Sequence, residues 1–194
     1  MAKRRLYLAY GSNLNLEQMA YRCPTAEVVG TATLEDGRLM FKGVATIERC
    51  RGSSVPVLVW NIQPQDEAAL DIYEGWPHLY RKETRRIVLN GKTVNAMVYI
   101  MNGRRPYSPP NQGYYNTILE GYESAGFDTS ILQKAALDSS EERKAVISPI
   151  IKEQIAAKQI CSIQIGFRPS PTAKVTMSWQ SLSRNSGVNM LDLL

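Results

Sequence analysis

The chain has 194 residues, 44% hydrophobic and 21% charged, with a net charge of +5; this is enough for one ordinary core plus an appendage. Its three cysteines (Cys23, Cys50, Cys161) are odd in number and widely spaced, and His78 is the single histidine. That inventory argues against a disulfide framework and a Cys/His zinc site, and it leaves His78 as the sole imidazole for any Ser–His or Cys–His mechanism.

Leu6 to Tyr10 is a short apolar, aromatic run ending in Gly11, and it predicts a buried strand. The basic start, Lys3-Arg4-Arg5, is followed by too short an apolar stretch for a signal peptide, so a cytoplasmic protein is expected. No run approaches the roughly 18 apolar residues that span a bilayer, so no membrane partner is expected. After Gly11-Ser12-Asn13, Leu16, Met19 and Ala20 recur at helical spacing, with Asn15 as N-cap and Cys23-Pro24 as the stop. Thr31 to Phe41 carries Glu35-Asp36-Gly37 between two strand-like runs, a hairpin signal.

Val55 to Ile62 reads as a central strand with Trp60 in the core. Pro64 opens a helix through Tyr73, where its missing N–H has no partner to lose, and Gly75 ends it. Tyr80–Leu89 and Thr93–Met101 read as strands joined by an Asn90-Gly91 turn. A Pro-rich loop from Gly103 to Gln112 precedes a helix that starts at Tyr114 and ends at Gly126. Ser130 to Leu137 forms a shorter helix. Strands in the middle and helices early and late favour an α+β fold, a small mixed β-barrel-like sheet with peripheral helices. Residues 1–140 form the expected domain and 141–194 an extension, loosely ordered or packed on the domain. Within it, 142–159 reads as a helix interrupted at Pro149, 161–167 alternates like a strand, and 168–194 is rich in Ser, Pro, Thr and Asn.

Two places point to chemistry. The Tyr10-Gly11-Ser12-Asn13-Leu14 loop, between strand and helix, presents backbone N–H groups suited to a carboxylate, phosphate or oxyanion. A strand-to-helix turn of this composition is also a structural commonplace, and it lacks a P-loop lysine. Asp66, Glu67, Asp71, Glu74 and Glu83 crowd one stretch and would ordinarily be a solvated face. Glu74 differs in standing among Tyr73, Trp76 and Tyr80, where desolvation would raise its pKa toward that of a general acid–base group. By residue pattern alone an ordinary surface role for it is the favoured reading. Tyr107, Tyr114, Tyr115 and Tyr122 read as core, and His78 as an ordinary loop residue. The basic clusters at 3–5, 81–86 and 104–105 read as solvated strand faces rather than a nucleic-acid site.

Tyr7 to Leu14 resembles the YGSNL signature of the γ-glutamylcyclotransferases and their AIG2-like relatives. Leu70-Asp71 to Glu74-Gly75 followed by Tyr80 is similar to the family's LDxxEG element, and Tyr114 to Gly126 to its YxNxIxxGYxxxG helix. The resemblance covers roughly residues 5–140. It implies a compact α+β fold, no metal or cofactor, and ring closure of a γ-glutamyl amine or γ-glutamyl amino acid to 5-oxoproline plus the free amine. It implies Glu74 as catalytic acid–base, with Tyr10, Gly11, Ser12, Asn13, Leu14, Tyr80 and, by looser analogy, Tyr115 in the substrate pocket. The Trp76-Pro77-His78 loop is bulkier than a minimal site of this kind, and the extension has no counterpart in the pattern. The alternative is a non-catalytic or regulatory module of the same fold that binds a small anion. Neither oligomeric state nor the amine released is specified.

Overall fold

The computed structural model describes residues 5–164, with residues 155–164 as backbone only. The first strand, β1 (Arg5–Ala9), leads into a 3-10 turn (Ser12–Leu14) and α1 (Leu16–Arg22). The Asn15 side chain caps α1 by accepting from the Gln18 N–H at 3.0 Å, as its spacing predicts. Two long strands follow, β2 (Glu27–Lys42) and β3 (Val44–Ile62), then α2 (Pro64–Tyr73), β4 (Tyr80–Leu89), β5 (Lys92–Met101), α3 (Gln112–Ser124) and α4 (Thr129–Gln164). α4 continues well past the short helix expected at 130–137 and contains Pro149. The strand expected at 161–167 is helical as far as Gln164; its remainder, and 168–194, lie outside the described residues.

The five strands form one mixed sheet in the order β2-β3-β1-β5-β4, parallel only between β1 and β5. It is an open sheet, and it curls until its edge strands meet. A methyl group placed on Gly30 of β2 would lie 3.4 Å from Leu89 Cδ1 at the end of β4. The expected barrel-like form is thus reached by curvature rather than by a closing ladder. Leu8, Val55, Val57, Val59 and Val98, which alternate along their strands onto one face of the sheet, fill the interior and are wholly buried.

The hairpin expected at Glu35-Asp36-Gly37 is corrected: β2 runs straight through as one strand. Asp36 is left-handed (φ 56°), and its carboxylate accepts from the Gly52 N–H at 2.9 Å. Pairing jumps there from Glu35↔Ser54 to Gly37↔Arg49, so the turn-like residues make a bulge. The true hairpin turn is at Gly43 (φ 81°), between Lys42 and Val44. The Asn90-Gly91 turn is as expected, with both residues at positive φ.

The chain divides into units Met1–Pro149 and Ile150–Leu194. The first holds the whole sheet together with α1, α2 and α3. Of the second, the described part is the helical backbone 150–164.

Candidate active site

A cavity of about 260 Å³ opens where β1 ends, lined by residues of the 3-10 turn, the end of α2, β4, β5 and α3. Four features put Glu74 at its wall. Pro64 starts α2, and the Asp66 carboxylate accepts from the Gln63 N–H at 2.9 Å to complete a capping box. Buried Asp66 also takes the Thr25 hydroxyl, at 2.7 and 2.8 Å to its two oxygens. The helix ends with Glu74 as its C-cap, its N–H donating to the Leu70 carbonyl at 2.8 Å. Gly75 then turns left-handed (φ 61°), which reverses the chain so that Leu79 and Tyr80 come back to line the same cavity.

Glu74 Oε1 accepts from Asn13 Nδ2 at 2.8 Å, and the same amide nitrogen donates to the Tyr7 hydroxyl at 2.8 Å. Burial pushes the Glu74 carboxyl up to about 7, against a smaller downward pull from the Arg22 guanidinium and the Asn13 hydrogen bond. Arg22, at the end of α1, donates to Asn13 Oδ1 and lies with its guanidinium carbon 3.4 Å from the Tyr73 ring centre.

Six tyrosines line the cavity: Tyr7, Tyr10, Tyr73, Tyr80, Tyr99 and Tyr114. Several hydroxyls are tied to the main chain. Tyr10 donates to the Tyr99 carbonyl at 2.7 Å, Tyr80 donates to the Ala45 carbonyl at 2.6 Å, and Tyr114 accepts from the Ala45 N–H at 3.3 Å. Burial holds the phenols of Tyr7, Tyr10, Tyr80 and Tyr99 far above their ordinary value, and that of Tyr114 up to about 12. All five stay protonated at neutral pH. Gly11 is a point of close approach: a Cβ there would lie 3.3 Å from both Ala45 Cβ and the Tyr114 hydroxyl.

Of the residues singled out from sequence, Glu74, Tyr10, Gly11, Ser12, Asn13 and Tyr80 line this one cavity. Leu14 and Tyr115 do not. Leu14 is wholly buried against α3, and Tyr115 packs half-buried on the hydrophobic core. The α3 tyrosine in the cavity is its neighbour Tyr114. Tyr7, Tyr73 and Tyr99 escaped notice as site residues. The available signal was positional: Tyr7 and Tyr99 sit on the adjacent strands β1 and β5, and Tyr73 immediately precedes Glu74. His78 does not line the cavity. Its carbonyl accepts from Asn102 Nδ2 at 3.2 Å.

Several other charged side chains, none of which lines the cavity, pair with one another. Lys82 Nζ contacts Glu67 Oε1 at 2.6 Å and Asp71 Oδ1 at 2.7 Å, and Arg5 joins Glu67 at 2.7 Å. Asp71 also accepts the Tyr99 hydroxyl at 2.5 Å, and Arg81 and Arg85 both pair with Glu83. Among the described residues no group of three or more His, Cys, Asp or Glu is placed to hold a metal ion, and no helix is long and apolar enough to cross a membrane.

A curled α+β sheet with one carboxylate set among tyrosines beside a Gly-Ser-Asn turn defines a small-molecule site of acid–base character. The family model described as "Gamma-glutamyl cyclotransferase, AIG2-like" matches residues 7–121, and the chain belongs to that family. A γ-glutamylcyclotransferase of Mus musculus is 29% identical over 164 residues, covering 77% of this chain and 87% of its own, and that of Homo sapiens is 27% identical over the same span. A solved structure titled "Gamma-glutamyl cyclotransferase" superposes with a TM-score of 0.61 at 27% identity, covering 69% of this chain and 86% of that one.

Proposed function

We propose that the protein is a γ-glutamylcyclotransferase that converts a γ-glutamyl amine or γ-glutamyl amino acid to 5-oxoproline and the free amine. One observation carries this reading: a half-buried carboxylate with a proton affinity near neutrality, Glu74, faces a small cavity walled by the YGSNL turn.

The substrate's α-amine is protonated at neutral pH and must lose a proton before it attacks. Glu74 in its ionised form takes that proton. The neutral nitrogen then forms a bond to the γ-carbonyl carbon, closing a five-membered ring. The bond from that carbon to the leaving amine breaks as Glu74 returns the proton to the departing nitrogen, and the second proton shed by the ring nitrogen passes to the freed amine, which leaves as an ammonium ion. A group titrating near pH 7 suits both transfers, because it is neither too weak a base nor too weak an acid. Backbone N–H groups of Gly11, Ser12 and Asn13 receive the substrate carboxylate or the oxyanion. The tyrosines exclude water and hold the glutamyl chain folded, which supplies much of the rate of an internal reaction. Free Cys23 and Cys50 suit a reducing compartment, and we assign the reaction to the cytoplasm.

The test is detection of 5-oxoproline from a panel of γ-glutamyl compounds, repeated with Glu74→Gln. The substitution keeps size and one acceptor oxygen but removes the base, and kcat is expected to fall by at least about 100-fold. Undiminished turnover in Glu74→Gln would overturn the role of this residue. Silence of the unaltered protein across the panel would favour a module that binds a small anion without turning it over.

A further inference from the structure

We propose that Arg22 is a positioning residue for Glu74: it grips the carbonyl end of the Asn13 amide so that the amide NH2 is held against the carboxylate. The proposal deepens the cyclotransferase reading of the same cavity and rests on it.

The geometry is a three-residue relay drawn from three elements. Arg22 ends α1, Asn13 sits in the 3-10 turn, and Glu74 caps α2. Arg22 Nη1 donates to Asn13 Oδ1, while Asn13 Nδ2 donates to Glu74 Oε1 and to the Tyr7 hydroxyl, both at 2.8 Å. A guanidinium can only donate. It therefore fixes which end of the amide faces it, and so which end faces Glu74. With the amide turned over, a carbonyl oxygen would confront the carboxylate and the arginine would meet an NH2 group. Both contacts are repulsive, so one cation selects the orientation. Asn13 is 3% exposed, leaving little water to compensate for a wrong orientation.

Arg22 is itself held on two further sides. Its other nitrogen donates to Gln18 Oε1 at 3.2 Å, one helical turn back, and its guanidinium carbon lies over the Tyr73 ring, 3.4 Å from the centre. A cation held over an aromatic face in this way is more often arginine than lysine. Arg22 does not line the cavity, so it acts on the reaction at one remove, through its grip on Asn13 and through its charge.

The titratable groups that share the cavity with Glu74 are Tyr7 from β1, Tyr10 just after it, Tyr73 from the end of α2, Tyr80 from β4, Tyr99 from β5 and Tyr114 from α3, and burial keeps Tyr7, Tyr10, Tyr80, Tyr99 and Tyr114 neutral. Arg22 is the charged side chain, among the described residues, that bears on the Glu74 proton, and it favours the ionised form. Its removal takes away both a positive charge and the restraint on a donor. The deprotonation of Glu74 should then require higher pH.

Two measurements test this. The first follows kcat/KM against pH for the unaltered protein, Arg22→Met and Arg22→Lys. Arg22→Met is expected to move the midpoint of the acidic limb upward by about half a unit or more. It should lower the plateau in kcat more than it raises KM. Arg22→Lys keeps the charge and a donor and should recover at least half of the midpoint shift. The second measurement is independent of turnover: the ¹³C resonance of the Glu74 carboxyl is titrated in all three proteins. An upward shift in Arg22→Met with partial return in Arg22→Lys supports the relay, even if no γ-glutamyl compound is turned over. That last result would sink the cyclotransferase reading alone. Identical Glu74 midpoints in all three proteins would overturn the relay whatever happens to activity. If Arg22→Met does not fold, Arg22→Gln takes its place in the titration, and a Glu74 midpoint there equal to that of the unaltered protein overturns the relay.

Discussion

At the scale of single residues, Glu74 carries a cost that its chemistry explains. Its carboxyl titrates near 7 in the folded protein, against a usual value of 4.5, because burial penalises the charge. The folded state therefore binds this proton more tightly than the unfolded chain does. The associated stability is fully present below about pH 4.5 and is lost as pH rises through about 7. Glu74→Gln cannot ionise, so it should be more stable than the unaltered protein at pH 8, by on the order of 1–3 kcal/mol. The gap should shrink by pH 5. Thermal melts at the two pH values check this, and an equal gap at both would rule out buried charge as its source.

The sequence shows five carboxylates in this stretch without telling them apart. The structure separates them by partner. Asp66 takes a hydroxyl and an N–H, Glu67 and Asp71 share Lys82, and Glu83 takes two arginines. Glu74 is left with a neutral amide. Glu83 meets its arginines two residues away, but Thr25, 41 residues before Asp66, and Asn13, 61 residues before Glu74, come from distant parts of the chain that no local pattern could reveal. Tyr114 and Tyr115 pose the same difficulty. Adjacent residues on a helix point about 100° apart, and which one meets the cavity depends on how α3 docks.

At the scale of elements, α3 sets the height of the 3-10 turn. A Cβ on Gly121 would fall 2.5 Å from Leu14 Cβ, 2.8 Å from the Leu14 carbonyl carbon and 2.9 Å from the Asn15 nitrogen. Two of those neighbours are main chain and cannot swing aside. Gly121→Ala gains up to about 1 kcal/mol of helix propensity, but overpacking costs about 1–3 kcal/mol, and the clash should prevail. Urea denaturation is expected to show net destabilisation. Because the displaced turn carries Ser12 and Asn13, KM should rise as well. A stabilised variant with unaltered KM would show that α3 has room to retreat.

Elements governed by local chemistry were legible in the sequence: the Asn15 cap, the Pro64 start and the Asn90-Gly91 turn. Asp36-Gly37 misled because a residue at positive φ serves a bulge as well as a hairpin. The two differ only in what lies opposite, here Gly52 on β3.

At the scale of the whole molecule, the sheet and its three site-bearing helices are complete within Met1–Pro149. We propose residues 1–140 as the catalytic domain and 141–194 as its extension. Residues 141–149 fall in the same unit as the sheet, and Arg143 Nη1 donates to Ser108 Oγ at 3.1 Å. A chain stopped after Pro149 is expected to remain folded and soluble with unaltered kcat/KM, as judged by circular dichroism, gel filtration and 5-oxoproline release. Gross insolubility would place essential packing beyond that point.

The cavity wall has a consequence for the time course of binding. The hydroxyls of Tyr10 and Tyr80 are bonded to main-chain carbonyls, and that of Tyr114 to a main-chain N–H. The wall thus moves only as the sheet moves, and a ligand meets a mould already set. Rapid mixing with a non-cyclising glutamyl analogue should give one exponential whose rate grows linearly with ligand concentration. A wall that had to assemble around its ligand would instead give a rate that levels off at a slow internal step.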